Sequence, residues 1–183
     1  EPPLRLTLVQ ALAKGGRDEQ AVETATEVGV ELVLPWQSER CVSVWQGAKQ
    51  AKGRQRWQAT ALQAAKQARR TRVPVVDEVR DTRALIAWVA QTVQSGGVVL
   101  VLHEEARTPI STAMESMRLP APGTAPLVLA VVVGPEGGIS PEETAALEAA
   151  GAMTVRLGPH VMRTASAGPV ALAVLAHASG LWE

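Results

Sequence analysis

Hydrophobic and polar positions follow two alternating patterns along the chain. Short runs rich in Val and Leu predict strands at LRLTLV (4–9), ELVLPW (31–36), VPVV (73–76), SGGVVLVLHE (95–104), LVLAVVV (127–133) and MTVRL (153–157). Helical periodicity and end signals predict helices over 18–29, 53–70, 81–94, 165–180 and from Pro141 to near Gly151. Apolar strands that alternate with helices are typical of a parallel sheet covered on both faces. The predicted fold class is therefore α/β, a parallel sheet flanked by helices.

End signals support two of these helices. Ser140, Pro141 and Glu143 fit the N-cap, N1 and N3 positions of a capping box. Asp81 or Thr82 suits the N-cap of the helix over 81–94. A helix that starts directly after the glycine-rich stretch GPEGG implies a short, tightly turned loop at that point.

The helix predicted over 53–70 is amphipathic. One face carries Trp57, Ala61, Ala64, Ala65 and Ala68, and the opposite face carries Lys52, Arg56, Gln63, Lys66 and Arg70. Between Arg40 and Val76 there are nine basic residues and no Asp or Glu, although the whole chain has a net charge of zero. Such a block indicates an anionic partner, most often nucleic acid. The alternative interpretation is a solvated helix face.

Composition limits the class of protein. With 183 residues and 46% hydrophobic content, the chain can bury the core of one domain. The single cysteine, Cys41, excludes an intrachain disulfide and favours a reducing, cytoplasmic setting. We recognise no leader and no apolar run near the roughly 20 residues of a membrane span, so no membrane partner is expected. The start, EPPLRLTL, lacks Met, which suggests a fragment or a processed chain.

Three predicted strands end in loops with unusual residues: LVLHEEARTP (100–109), VVVGPEGGIS (131–140) and VRLGPHVMRTASAG (155–168). In open α/β sheets, ligands bind at the carboxyl ends of strands. We therefore expect the three loops to converge on one pocket.

The glycine loop does not match a phosphate-binding motif. It is neither GxxxxGK[ST] nor GxGxxG, and Glu136 would repel a phosphate. Glycines with an acid suit a ligand with a cationic centre, held by closely approaching backbone. The plainer alternative is a tight turn. Arg163, at another strand end, could orient a substrate or stabilise negative charge. His103, His160 and His177 show no metal spacing, so no metal is expected.

GPEGGIS followed by LGPHVMRTASA resembles the RsmE family of 16S rRNA (uracil-N3) methyltransferases, in the SPOUT superfamily. EVGVELVLPWQSERCV (27–42), KQARRTRVPVV (66–76) and LVLHEEA (100–106) are also similar to family segments. The order of these motifs extends the resemblance along nearly the whole chain.

The resemblance implies a deep trefoil knot in the C-terminal third, an S-adenosylmethionine (SAM) pocket built by the three loops, and a homodimer. It also implies an N-terminal PUA-like RNA-binding domain that ends where this chain begins, so residues 1–183 are expected to form the methyltransferase domain alone. The implied reaction is methylation of N3 of a uridine in 16S rRNA of the small ribosomal subunit, near the decoding centre.

Site residues follow by position. The implied cofactor contacts are Leu102, His103, Glu104, Gly134, Pro135, Glu136, Gly137, Gly138, Leu157, Gly158, Val161, Met162, Arg163 and Ala167. Arg40, Arg70 and Arg72 match family arginines that meet rRNA, and Lys52, Arg56 and Lys66 extend that surface. Arg70 or Arg163 would stabilise a uracil anion. Glu136 is the candidate general base, although it could instead cap the loop or bind the cofactor.

The chain also departs from the family pattern. His160 stands where the family often has Arg, Ala165 where it has Glu, and Lys66 and Arg69 where it has Glu and Gly. Two alternatives follow: another SPOUT enzyme acting on tRNA or on a ribose 2′-oxygen, or an RNA-binding module of the same fold without catalysis.

Overall fold

The computed structural model describes residues 4–117 and 126–182, where strands and helices alternate. The strands are β1 (Leu4–Ala11), β2 (Leu32–Gln37), β3 (Val75–Val76), β4 (Arg80–Asp81), β5 (Val98–Leu102), β6 (Leu127–Val133) and β7 (Met153–Val155). The helices are α1 (Arg17–Val28), α2 (Ala48–Gln67), α3 (Thr82–Gln94), α4 (Ile110–Ser116), α5 (Pro141–Ala149) and α6 (Thr164–Ala178). The six predicted strands and five predicted helices are all present, whereas α4 and β4 were not predicted.

All strands belong to one sheet in the order β3-β2-β1-β6-β5-β7, with β4 paired to the end of β2. Every pairing in it is parallel. This arrangement confirms the α/β class. The knot in the C-terminal third stays a prediction.

Helices cover both faces of the sheet, as the apolar strands require. Leu8 of β1 lies in a core cluster with residues of α1, α2 and α6, and its neighbour Val9 lies in a second cluster with residues of α3 and α5. Successive side chains of a strand point to opposite faces, so a wholly apolar strand contributes to both clusters. In the described part of the chain, no helix is long and apolar enough to cross a bilayer.

The start predicted for α2 was wrong, because the helix begins at Ala48 and runs through Gly53. A Cβ at Gly53 would lie 2.4 Å from the indole of Trp45, which packs edge-on against Trp57 with ring centroids 5.1 Å apart. Glycine at this position therefore serves tertiary packing. Local helix propensity alone would have favoured a break there.

The predicted place of Arg70 on the exposed face of α2 was also wrong. The helix ends at Gln67, Ala68 is exposed, and the Arg70 guanidinium turns inward to donate hydrogen bonds to the carbonyls of Thr26 (2.8 Å) and Val30 (2.6 Å). Burial lowers the pKa of Arg70. The other four residues predicted on that face, Lys52, Arg56, Gln63 and Lys66, are exposed.

Arg69 occupies the left-handed region, with φ 54°, directly after the C-cap of α2. The Arg70 amide donates to the carbonyl of Ala65, the pattern of a Schellman cap that normally ends in glycine. We expect Arg69→Gly to stabilise the chain by about 1 kcal/mol, because glycine adopts this conformation without a Cβ clash. Thermal denaturation should show a rise in Tm of about 2–4 °C.

Lys66→Gly is the matched control, since Lys66 lies within the same helical turn in ordinary helical conformation. It should lower stability by up to about 1 kcal/mol. A fall in Tm for both variants would contradict the strain assigned to Arg69.

Candidate functional site

A cavity of about 680 Å³ opens at the carboxyl ends of β5, β6 and β7. All three predicted loops line it, as do all fourteen residues assigned to the cofactor, from Leu102 to Ala167. The convergence of the loops is thereby confirmed. The role of each residue toward a cofactor stays a prediction.

The glycine loop, residues 134–138, follows β6 and is tightly folded. The amide of Gly138, at φ 73°, donates to the carbonyl of Pro135 at 2.9 Å. A Cβ at Gly134 would lie 2.6 Å from the side chain of the buried Ile139. The loop therefore requires glycine at both ends for its own geometry.

A buried polar chain ties this loop to the rest of the fold. Thr164, at the start of α6, donates its hydroxyl to the carbonyl of Gly134 at 2.8 Å and accepts from the side-chain amide of Gln10 at 2.8 Å. Gln10 is fully buried near the end of β1. Breaking such a chain would leave buried polar groups unpaired at about 1–3 kcal/mol each, so the first residue of the loop is firmly held.

The capping box predicted for α5 is present, and its carboxylate does more than cap the helix. Glu143 Oε1 also accepts from the amide of Glu39 at 2.8 Å and from the Thr82 hydroxyl at 2.6 Å. Arg40, which follows Glu39 in the chain, lines the cavity and donates from Nη1 to the carbonyl of Gly137 at 3.1 Å. The loop after β2 is thus held to the first turn of α5 through Glu39 and to the glycine loop through Arg40.

Glu136 contacts a fourth segment of the cavity wall, which the sequence patterns above did not predict. Its Oε1 accepts from the backbone amide of Lys14 at 3.1 Å, in the connection after β1, and from Nη1 of Arg17 at 3.4 Å, the first residue of α1. Arg17 itself lines the cavity. The rule that selected the other loops, polar or glycine-rich residues at a strand's carboxyl end, applies equally to KGGR after β1.

Arg163 and His103 lie in the predicted region. Arg163 is the exposed N-cap residue of α6, and His103 Nδ1 accepts from the amide of Glu105 at 3.2 Å. Both line the cavity.

The remaining predicted residues lie elsewhere. Arg70 binds the carbonyls of Thr26, in the last turn of α1, and of Val30, just before β2, so its guanidinium lies at the amino end of the sheet, opposite the cavity. Lys52, Arg56, Lys66 and Arg72 do not line the cavity, and the guanidinium of Arg56 forms an ion pair with Glu19. Among the described residues there is no group of three or more side chains suited to hold a metal ion.

A fully parallel α/β sheet with a glycine-lined cavity at its strand carboxyl ends defines a class of ligand-binding α/β proteins. Within that class, the chain belongs to the family described as the RNA methyltransferase domain, whose model matches residues 1–176. The resemblance found in the sequence motifs is thereby confirmed.

Curated relatives share most of the chain. It is 47% identical over 184 residues to a Mycobacterium bovis protein named Ribosomal RNA small subunit methyltransferase E, covering 100% of this chain and 67% of that protein. A Bacillus subtilis protein of the same name is 30% identical over 182 residues, covering 99% of this chain and 69% of that protein.

Solved structures are also similar over most of this chain, at lower sequence identity than the Mycobacterium bovis protein. Ribosomal RNA small subunit methyltransferase E from Neisseria gonorrhoeae, bound to S-adenosyl methionine, has a TM-score of 0.78 at 26% identity and covers 96% of this chain and 66% of its own. A Legionella pneumophila protein in complex with the bound cofactor SAM has a TM-score of 0.76 at 30% identity, covering 96% and 67%.

Proposed function

We propose that this chain is a SAM-dependent methyltransferase that methylates N3 of a uridine in 16S rRNA of the small ribosomal subunit, in the cytoplasm. The observation that carries the proposal is the cavity, whose walls contain every residue that the family motifs assign to the cofactor. The 47% identity to a ribosomal RNA small subunit methyltransferase supports the substrate class, and the SAM-bound similar structures support the cofactor. We further propose that residues 1–183 form the methyltransferase domain.

The residues present fit SAM. A volume of about 680 Å³ lies within the roughly 300–1,000 Å³ typical of small-molecule sites. A Cβ at Gly158 would meet no protein atom within 4 Å, so the backbone there faces open space that a ligand can fill. Carboxylates of Glu104, Glu105 and Glu136 line the same cavity and suit a ligand with cationic groups.

When bound, SAM supplies an electrophilic methyl group on a sulfonium. The chain's own contribution is positioning and water exclusion: the loops orient the two reactants, which removes much of the entropic barrier. Arg163 at the rim would face a uracil carbonyl oxygen and stabilise the anion left when N3 loses its proton. N3 of that anion would form its bond to the methyl carbon as the methyl–sulfur bond breaks, which leaves S-adenosylhomocysteine as a neutral thioether, and the N3 proton would pass to solvent. The target base has to leave its stack to enter the cavity.

Arg70 and Glu136 are not carried into this mechanism. Arg70 binds backbone carbonyls at the far end of the sheet, which supports a role in joining α2 to α1. Glu136 Oε1 already accepts from Lys14 and Arg17, which supports a role in holding the cavity wall.

Cofactor binding and methyl transfer test the proposal together. Calorimetric titration with S-adenosylhomocysteine should show binding at micromolar strength, and Gly158→Ala should weaken it at least about tenfold, because the added methyl group occupies ligand space. The Tm of the variant should stay unchanged, since the methyl meets no protein atom.

Incubation with labelled SAM and unmethylated small subunits should yield N3-methyluridine, mapped by mass spectrometry. A methylated ribose or tRNA would indicate another SPOUT activity, and RNA binding without cofactor binding a non-catalytic module.

The exposed basic face of α2 is proposed to bind RNA phosphates. Lys52 and Lys66 lie 14 residues apart, about 21 Å along the helix. Arg56 lies between them and forms an ion pair with Glu19. Charge reversal of Lys52, Arg56 and Lys66 should weaken RNA binding and reduce its salt dependence, because phosphate contacts release counterions. Affinity for S-adenosylhomocysteine should not change. Arg83→Glu, an exposed reversal on α3 across the sheet, serves as control. Equal loss of RNA and cofactor binding would refute this division.

We propose that the chain forms a homodimer through α6. Val170 and Val174, one turn apart, are 37% and 38% exposed, and Val161 and Met162 near the cavity are 75% and 39% exposed. Apolar surface of this kind marks an interface. Val174→Asp should shift the mass in sedimentation equilibrium from dimer to monomer. Leu62→Asp, at 38% exposure on α2, should not. A monomeric parent would exclude this interface.

A further inference from the structure

The strand order divides the site into two halves. β6 lies between β1 and β5, so its glycine loop stands in the middle of the carboxyl edge. The loops after β5 and β7 lie on one side of it, and these carry most of the residues assigned to SAM. The connections after β1 and β2 lie on the other side, where the cofactor assignment places nothing.

Two arginines line the cavity from that second side, and the glycine loop itself holds both. Arg17, the first residue of α1, contacts the carboxylate of Glu136. Arg40, from the connection after β2, donates to the carbonyl of the next residue, Gly137. Two cations at one mouth, each fastened to the wall that divides the site, form an arrangement suited to an anionic ligand.

The turn from β1 into α1, which ends at Arg17, is closed by a buried carboxylate. Asp18 is 2% exposed and accepts from the amide of Ala13 at 3.1 Å, across the base of the connection. The Arg17 side chain, by contrast, is 41% exposed, and its contact with Glu136 is long at 3.4 Å. The backbone is therefore fixed while the guanidinium stays accessible to a ligand.

We propose that Arg17 binds a phosphate of the RNA beside the target nucleotide, together with Arg40, and that Glu136 is the positioning residue that aims Arg17 at the cavity. This inference rests on the proposed function and deepens it by assigning the RNA half of the site. Glu136 then acts through Arg17 and takes no proton from the substrate.

Arg17→Gln tests the phosphate contact, and Arg5→Gln is its matched control. Arg5 lies at the opposite end of β1, is 46% exposed and pairs with Glu31 at 3.8 Å. It therefore matches Arg17 in side-chain exposure and in having a glutamate partner, but it does not line the cavity. Binding to a 16S rRNA transcript is measured across a series of KCl concentrations. Arg17→Gln should weaken it on the order of tenfold and lower the slope of log K against log salt by about 0.7–1. Arg5→Gln should leave both unchanged, and neither should alter affinity for S-adenosylhomocysteine.

Glu136→Gln separates positioning from proton transfer. A positioning role predicts that kcat of Glu136→Gln keeps its pH profile. It also predicts that Glu136→Gln changes RNA affinity only while Arg17 is present, so the variant that carries both substitutions should bind RNA as Arg17→Gln does. Loss of kcat with unchanged RNA affinity would make Glu136 the base and overturn the inference. A parent that methylates RNA, with an unchanged salt slope in Arg17→Gln, would also overturn it while leaving the proposed function intact. A parent that binds no RNA would overturn both.

Discussion

The parallel pairing of β6 with β1 on one side and β5 on the other determines where every part of the site can lie. Its register pairs Gln10 with Val133, one residue before the glycine loop, and Val101 with Val132. The carboxyl ends of three strands therefore meet within a few residues of Gly134. The strands that achieve this are apolar on both faces, so helices have to cover both faces, and only the strand ends remain available for polar chemistry.

At those ends, a few buried polar groups hold loops that contribute little apolar burial of their own. Thr164 links α6, β1 and the glycine loop, and the Glu143 carboxylate links the start of α5 to α3 and to the connection after β2. Each is a contact that is modestly favourable when made and costly when broken. Backbone so fixed can line a cavity without collapsing into it, which a site for methyl transfer requires because it depends on positioning.

Local patterns predicted most of the architecture and failed where distant contacts decide. The apolar runs identified each long strand, and the capping box placed the start of α5, because both signals depend only on neighbouring residues. The start of α2 was missed because Gly53 is explained by Trp45, which approaches from outside the helix. Arg70 was misplaced because its partners are carbonyls at the end of α1 and just after it, 40 residues and more away. Arg17 was overlooked because its partner, Glu136, is 119 positions away in the sequence and contacts it only in the folded chain.

Strand periodicity, turn residues and motif order are local properties of the chain, and they were enough to predict the α/β class, the three loops and the family. Which side chains share the cavity depends instead on the tertiary structure. It placed Arg40 and Arg17 on one side of the glycine loop, set Arg70 at the opposite end of the sheet, and gave Glu136 partners in Lys14 after β1 and Arg17 at the start of α1. These outcomes follow from strand order, which brings together residues as many as 122 positions apart and which no local pattern records.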